Sequence, residues 1–282
     1  MQILIPVDFS NASERMMRFA FALNRHFTAR LQVLHIFDVP ITSGDDGEVF
    51  LRNYEAYRKS FEDELWAFVK RNKGEYHYDV EAFATSGGHY QGIMSFARSH
   101  KPSLIVVGHK GAGKVARWMF GSVSRYLLTH PPVPVLSIPE SLPEQVEGFR
   151  KILLTVDLSA PLPEAQTSFL LDFAKRLEAQ VGMLHIRVGN EIHVAEEERT
   201  KMQLMEKLGP RWEERVMGKG EDVAGAILSH MHAYGYDLLV TVPHQHTWID
   251  QLLMGSETRR IAARNDIAVL ALPEQAQGAT SA

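Results

Sequence analysis

The sequence predicts an α/β protein made of two tandem, open, parallel-sheet domains of five strands each, and three observations carry that reading. First, short aliphatic runs such as Ile3-Leu4-Ile5 and Leu104-Ile105-Val106-Val107 are apolar at nearly every position. Uninterrupted runs of this kind suit central parallel strands buried on both faces. Second, these runs alternate with segments whose apolar residues recur every three or four positions, the signature of amphipathic helices. Third, the whole order occurs twice along the chain.

The elements follow in order. Ile3–Asp8 reads as a strand that ends in an acid, and Asn11 with Glu14 three residues later has the form of a capping box. The helix this starts is expected to run to about His26, with Met16, Phe19, Ala20, Leu23 and Phe27 on one face. Leu31–Phe37 is the second strand. Phe50 to Val69 places Phe50, Tyr54, Tyr57, Phe61, Leu65 and Phe68 on one helical face. Tyr78–Ala84 is expected as the third strand and Tyr90–Ser99 as the third helix, with Ile93, Met94 and Phe96 facing in. Leu104–Val107 is the fourth strand, a glycine-bearing loop follows, a helix is entered near Gly121-Ser122-Val123-Ser124, and Val133–Ile138 is the fifth strand. Alternation of this kind indicates a parallel sheet covered by helices on both sides.

The second half repeats the first. Ile152-Leu153-Leu154-Thr155-Val156-Asp157-Leu158-Ser159 answers Ile3 to Ser10, and Met183-Leu184-His185-Ile186 answers Val33-Leu34-His35-Ile36. Asp237–Val242 answers Ser103–Val107, Gly255-Ser256 answers Gly121-Ser122, and Ala268–Pro273 answers Pro134–Pro139. The domains are therefore expected over residues 1–141 and 150–274, with the linker near Leu142–Phe149.

Composition narrows the function classes. A chain of 282 residues accommodates two domains of ordinary size. Hydrophobic and charged contents of 45% and 23% are ordinary, and a net charge of −4 gives no general attraction to nucleic acid or to an anionic membrane. Neither is expected as a partner. With no cysteine, disulfides, thiolate metal sites and cysteine nucleophiles are excluded. There is no apolar run of membrane-spanning length, and Met1 leads directly into a strand, so a cytoplasmic location is expected. The tail after Glu274 is small and polar.

The glycines and hydroxyls between the fourth and fifth strands fall as Gly108-x2-Gly111-x9-Gly121-Ser122. Glycines allow close backbone approach, and the free N–H groups at a helix start suit phosphate oxygens. Two other motifs overlap this stretch. Gly108-x4-Gly113-Lys114 has P-loop spacing, but Val115 supplies no hydroxyl for Mg²⁺. Gly111-x-Gly113-x-x-Ala116 fits a dinucleotide fingerprint, yet His130-Pro131-Pro132 stands where a ribose-binding acid belongs.

With its Pro-Val-Asp-x-Ser opening, its Leu-His-Ile second strand and this glycine signature, the chain resembles a tandem universal stress protein over nearly its whole length. The resemblance implies Rossmann-like domains of the adenine nucleotide alpha hydrolase type. It also implies ATP or a related adenine nucleotide, with or without Mg²⁺, over the carboxyl ends of the strands. Carried over residue by residue, Pro6, Val7 and Asp8 line the nucleoside end, and Asp8 hydrogen-bonds it. Ile36 adds contact to the base. Gly108, Gly111 and Gly121 bring backbone N–H groups to ribose and phosphates, while Ser122, Val123 and Ser124 hold phosphate oxygens. The bland alternatives are a capping role for Asp8 and turn chemistry for the glycines.

The second half keeps Asp157 and Gly255-Ser256 but has Pro243 where Gly108 stands and His246 where Gly111 stands. Proline removes an N–H and imidazole adds bulk, so one nucleotide site is expected, in the first half. His230, His232, His244 and His246 lack a carboxylate at ligand spacing, and alternate residues on a helix diverge, so no metal site is assigned. His35 and His185 are expected to be core or subsite histidines bonded to backbone. No Walker acid or nucleophile elbow is present, and no catalytic residue is assigned. The expectation is a stress-response regulator with at most slow hydrolysis, acting on unidentified protein partners. The alternative is an interaction module without nucleotide. The resemblance further implies that the two halves pair within the chain through their last strands, with dimerisation through other surfaces left open.

Overall fold

The computed structural model describes residues 1–38, 47–109, 121–142, 148–156, 158, 162–188, 194–218, 221–243 and 267–274. The fold is α/β, with mostly parallel strands and seven helices among the described residues. The chain divides into two compact units, Met1–Gly108 and His109–Ala282.

The first unit contains β1 (Gln2–Val7), α1 (Asn11–Leu23), β2 (Arg30–Phe37), α2 (Gly47–Asn72), β3 (Val80–Ser86), α3 (His89–His100) and β4 (Leu104–His109, whose last residue opens the second unit). Its strands lie in the order β3-β2-β1-β4, all parallel. β1 is the pivot, because the chain adds β2 and β3 on one side and β4 on the other. A crevice opens at the carboxyl ends where strand order reverses in this way. Ile3, Leu4, Ile5, Leu31, Val33, Leu34, Leu104, Ile105 and Val106 are fully buried, in agreement with their uninterrupted apolar runs.

Helix positions follow the apolar spacing, with shifts at the ends. The start of α1 is capped by Ser10, whose hydroxyl accepts from the Ser13 N–H, in place of the expected Asn11 and Glu14 pair. Glu14 is instead ion-paired with Arg18. The helix ends at Leu23, and Asn24 turns the chain by exchanging two hydrogen bonds with Ala29. This stops it short of His26. On α2, Leu65 and Phe68 are buried, whereas Tyr57 is 41% exposed. Tyr57 sits on the flank of the apolar stripe, where a tyrosine keeps its hydroxyl in water. β3 begins two residues later than expected, at Val80, because Tyr76 and Tyr78 stack on each other and on Phe21 instead of joining the ladder.

The second unit contains α4 (Ser122–Thr129), β5 (Val135–Pro139), β6 (Lys151–Val156), α5 (Glu164–Arg176), β7 (Gln180–Val188), α6 (Val194–Leu208), β8 (Trp212–Met217), α7 (Val223–Tyr234), β9 (Leu238–Thr241) and β10 (Ala268–Ala271). Its strand order is β5-β10-β9-β6-β7-β8. All neighbours are parallel except β5, which runs antiparallel to β10 with Val135, Leu136 and Ser137 opposite Ala271, Leu270 and Val269. Here β6 is the pivot, flanked by β7 and β9. No helix among the described residues is long and apolar enough to cross a membrane.

Candidate functional site

The carboxyl end of β1 delivers the first group of expected site residues. Val7 is buried and Pro6 half-buried, both held in the ladder opposite His35 and Leu34. Asp8 follows and is exposed. Its Oδ1 accepts three hydrogen bonds, from the Ser10 N–H at 3.1 Å, the Ser10 hydroxyl at 2.5 Å and the Ser13 hydroxyl at 2.5 Å. The Asp8 N–H donates to the Ser13 hydroxyl at 3.1 Å. Desolvation alone would raise the Asp8 carboxyl, but the Ser10 and Ser13 hydrogen bonds outweigh it and hold the pKa below its ordinary value. Asp8 is thus an anion whose Oδ1 is fully used, and among the described residues Oδ2 receives no hydrogen bond.

The turn after Asp8 is held in an unusual way. Phe9 has φ 60°, the left-handed region, which costs a residue with a Cβ roughly 1–2 kcal/mol. Its ring lies 4.3 Å from that of His35 and 5.4 Å, edge-on, from Phe68. His35 in turn lies 5.1 Å from Phe61. His35 Nδ1 is 2.9 Å from the Val7 carbonyl, which can only accept, so this nitrogen carries the proton. In the second unit His185 Nδ1 makes the same bond to the Val156 carbonyl at 3.1 Å. Both histidines are therefore bonded to backbone. Phe9, Ser10 and Ser13 were not singled out by sequence spacing. The signal was present in Ser10, which stands three residues before Ser13 at the start of a helical pattern.

Ile36 is on β2 with its side chain 5% exposed, and a Cβ added to Gly92 on α3 would stand 2.8 Å from its Cδ1. The Ile36 side chain is thus packed beneath α3. Gly108 closes the first unit on β4. A Cβ there would meet Met16 Cβ at 3.4 Å and the Ala12 carbonyl at 3.6 Å, which is ordinary contact.

In the second unit Gly121 caps α4 with φ −59° and ψ 156°, and a Cβ there would meet nothing within 4 Å among the described residues. Ser122 is exposed, Val123 half-buried and Ser124 buried in the first turn of α4. The first intrahelical bond is from the Arg125 N–H to the Gly121 carbonyl at 3.0 Å. The amides of Ser122 to Ser124 therefore precede the helical ladder, as is usual at a helix start. Gly111 lies outside the described residues, as do Asp157, His244, His246, Gly255 and Ser256. His109 is buried, with Nδ1 2.8 Å from the Ser137 hydroxyl on β5, and burial pushes its pKa down to about 3.

Of the second-half histidines that are described, His230 is buried against Tyr234 and Tyr236, whereas His232 is exposed. The two diverge from one helix. Among the described residues no group of three or more His, Asp or Glu stands together as metal ligands would.

Comparison with known proteins gives a consistent result. The sequence profile of the universal stress protein family matches residues 1–139 and again 148–273. A curated universal stress protein of Methanocaldococcus jannaschii is 26% identical over 137 residues, spanning 49% of this chain and 81% of that protein. The crystal structure of a universal stress protein from Archaeoglobus fulgidus aligns over 97% of this chain and 98% of its own, at 16% identity and a TM-score of 0.68. A further universal stress protein, solved in complex with cAMP, aligns with 50% of this chain and 98% of its own, at 21% identity and a TM-score of 0.39.

Proposed function

The chain belongs to the universal stress protein family in both halves, and on that premise we propose that its first half binds ATP or a related adenine nucleotide as a regulatory ligand. The observation that supports this reading is the room for a side chain at two glycines. Neither Gly108 nor Gly121 has a positive φ; a Cβ at Gly108 would make only ordinary contact with Met16 and Ala12, and among the described residues a Cβ at Gly121 would meet nothing within 4 Å. Neither positive φ nor packing therefore requires glycine at Gly108, and Gly121 has only its place as the cap of α4 to account for it, while close approach of a ligand to the backbone would favour glycine at both. An interaction module without nucleotide would leave Gly121 only its capping role and Gly108 no conformational reason to be glycine.

In this reading Asp8 accepts from the nucleoside through Oδ2, Pro6 and Val7 line the nucleoside end, and Ile36, its side chain packed beneath α3, contacts the base through its backbone. Gly108, Gly111 and Gly121 approach ribose and phosphates, and Ser122, Val123 and Ser124 offer amides and hydroxyls to phosphate oxygens. The N-terminal end of an α-helix favours such an anion through its dipole. Asp8, with its carboxyl held below the ordinary value, is a weak general base at neutral pH. This favours a bound regulator over rapid hydrolysis. The second half, with buried Pro243 in place of Gly108, takes no nucleotide in this reading.

Mass spectrometry of whatever the purified protein releases on denaturation, followed by calorimetry of the stripped protein with ATP, tests both parts. One adenine nucleotide per chain is expected. Two per chain would refute the assignment to the first half alone, and no binding would refute the nucleotide reading altogether.

A further inference from the structure

We propose that Phe9 is a positioning residue for the nucleoside, acting by fixing the direction of the Asp8 carboxylate; this rests on the nucleotide reading above. Asp8 lies between two anchored neighbours. Val7 is held through its carbonyl, which accepts from His35 Nδ1 at 2.9 Å. Phe9 is held through its ring, 4.3 Å from the same imidazole and edge-on to Phe68 at 5.4 Å. One histidine thus grips the chain on both sides of Asp8.

The backbone at Phe9 carries strain for the grip to offset. A residue with a Cβ at φ 60° stands in a sparsely populated region and is held there by its surroundings. The surroundings here are His35, Phe68 and, behind His35, Phe61 at 5.1 Å. Without the ring contacts the turn would relax toward negative φ, and Asp8 would turn with it. The hydroxyls of Ser10 and Ser13 complete the arrangement by occupying Oδ1, so that Oδ2 is left to meet a donor.

The second half supplies an internal comparison. It keeps the histidine grip on the backbone, His185 Nδ1 to the Val156 carbonyl at 3.1 Å. Leu158, buried at 3% exposure, stands where Phe9 does. Among the described residues the ring next to His185 is that of Trp212 on β8, at 6.3 Å. The aromatic half of the clamp is therefore confined to the copy that also keeps Gly108 and Gly111. An aliphatic side chain at this position fills space but does not stack against imidazole.

The test is a double-mutant cycle on the full chain, with ATP as the probe in calorimetry. Phe9→Leu, the residue the second half carries, is expected to weaken ATP about tenfold, the scale of one charge-assisted hydrogen bond misdirected. Asp8→Asn is expected to weaken it by a similar factor. Added to Asp8→Asn, Phe9→Leu should cost less than about twofold more, since residues acting through one contact are not additive. Phe9→Tyr, which keeps the ring, should bind as the unaltered chain does. Equal losses from Phe9→Leu in both backgrounds, unchanged affinity in Phe9→Leu, or a Tyr variant as weak as the Leu variant would each overturn the assignment. If the unaltered chain fails to bind ATP, the nucleotide reading itself has failed, and that outcome is distinct from all three.

Discussion

Replacing Gly121 by alanine should separate ligand binding from folding, and replacing Gly182 by alanine should do the reverse. At Gly121 the new Cβ meets nothing within 4 Å among the described residues and φ is −59°, so no strain and no overlap with a described residue opposes it. The remaining cost is the poorer capping of alanine relative to glycine at a helix start, roughly 0.5 kcal/mol. At Gly182 the new Cβ would overlap Tyr236 Oη and stand 2.8 Å from Cζ and 3.0 Å from Cε1. The tyrosine ring would have to leave its place over β7, an overpacking cost of about 1–3 kcal/mol that the lower chain entropy of alanine offsets only in part. Urea denaturation followed by circular dichroism measures the two stabilities, and calorimetry with ATP measures affinity. Gly121→Ala should fold like the unaltered chain and lose at least about tenfold in affinity, because a methyl group at a phosphate-contacting backbone removes or lengthens about one charge-assisted hydrogen bond. Gly182→Ala should lose stability and bind ATP normally under native conditions. If Gly121→Ala bound ATP unchanged, the argument that this glycine is kept for ligand approach would be wrong.

Further outcomes follow from the titratable groups. Burial lowers the folded-state pKa of His109 to about 3, well below its ordinary 6.5, so the fold requires the neutral ring. Its contribution is fully present above pH about 6.5 and is lost as pH falls from there toward 3, at up to about 1.4 kcal/mol per pH unit. Urea melts across pH 7 to 4 should show a steeper loss for the unaltered chain than for His109→Asn, and parallel slopes would refute this. Ser13→Ala removes a donor to Asp8 Oδ1 and the acceptor of the Asp8 N–H, and is expected to cost about 1 kcal/mol. In this variant the Asp8 carboxyl should titrate at higher pH by NMR. Since the folded-state pKa of Asp8 is lowered, its contribution to stability is present at neutral pH and is lost as pH falls through that value. An Asp8 titration unmoved by Ser13→Ala would contradict the hydrogen-bond account.

Much of this was legible in the sequence because strand burial and helix amphipathicity are written in local spacing. Leu104 to Val107 could only be a strand buried on both faces, and Met16, Phe19, Ala20 and Leu23 could only lie on one helical face. The glycines between β4 and α4 were visible as a pattern, but their surroundings were not. That Gly92 is demanded by Ile36, while among the described residues no neighbour crowds Gly121, is a matter of distances between segments far apart in sequence. The Asp8 site was half legible for the same reason. Its acid and its serines are local, whereas the positive φ of Phe9 depends on His35 and Phe68, which reach it from β2 and α2. The capping of α1 was misassigned by one residue because Ser10 and Asn11 are both good caps, and only the hydrogen bond to the Ser13 N–H distinguishes them.

The antiparallel pairing of β5 with β10 has a consequence for the chain as an assembled object. β5 comes from the first sequence repeat and β10 from the second, so the bonds between them join segments that two separate chains would have to bring together by collision. On one chain their local concentration is set by tether length, not by expression level. Dilution cannot part them. A chain cut between the repeats should therefore become concentration-dependent in its stability, and a second repeat made alone should present the backbone of Val269, Leu270 and Ala271 as an open edge that recruits another strand.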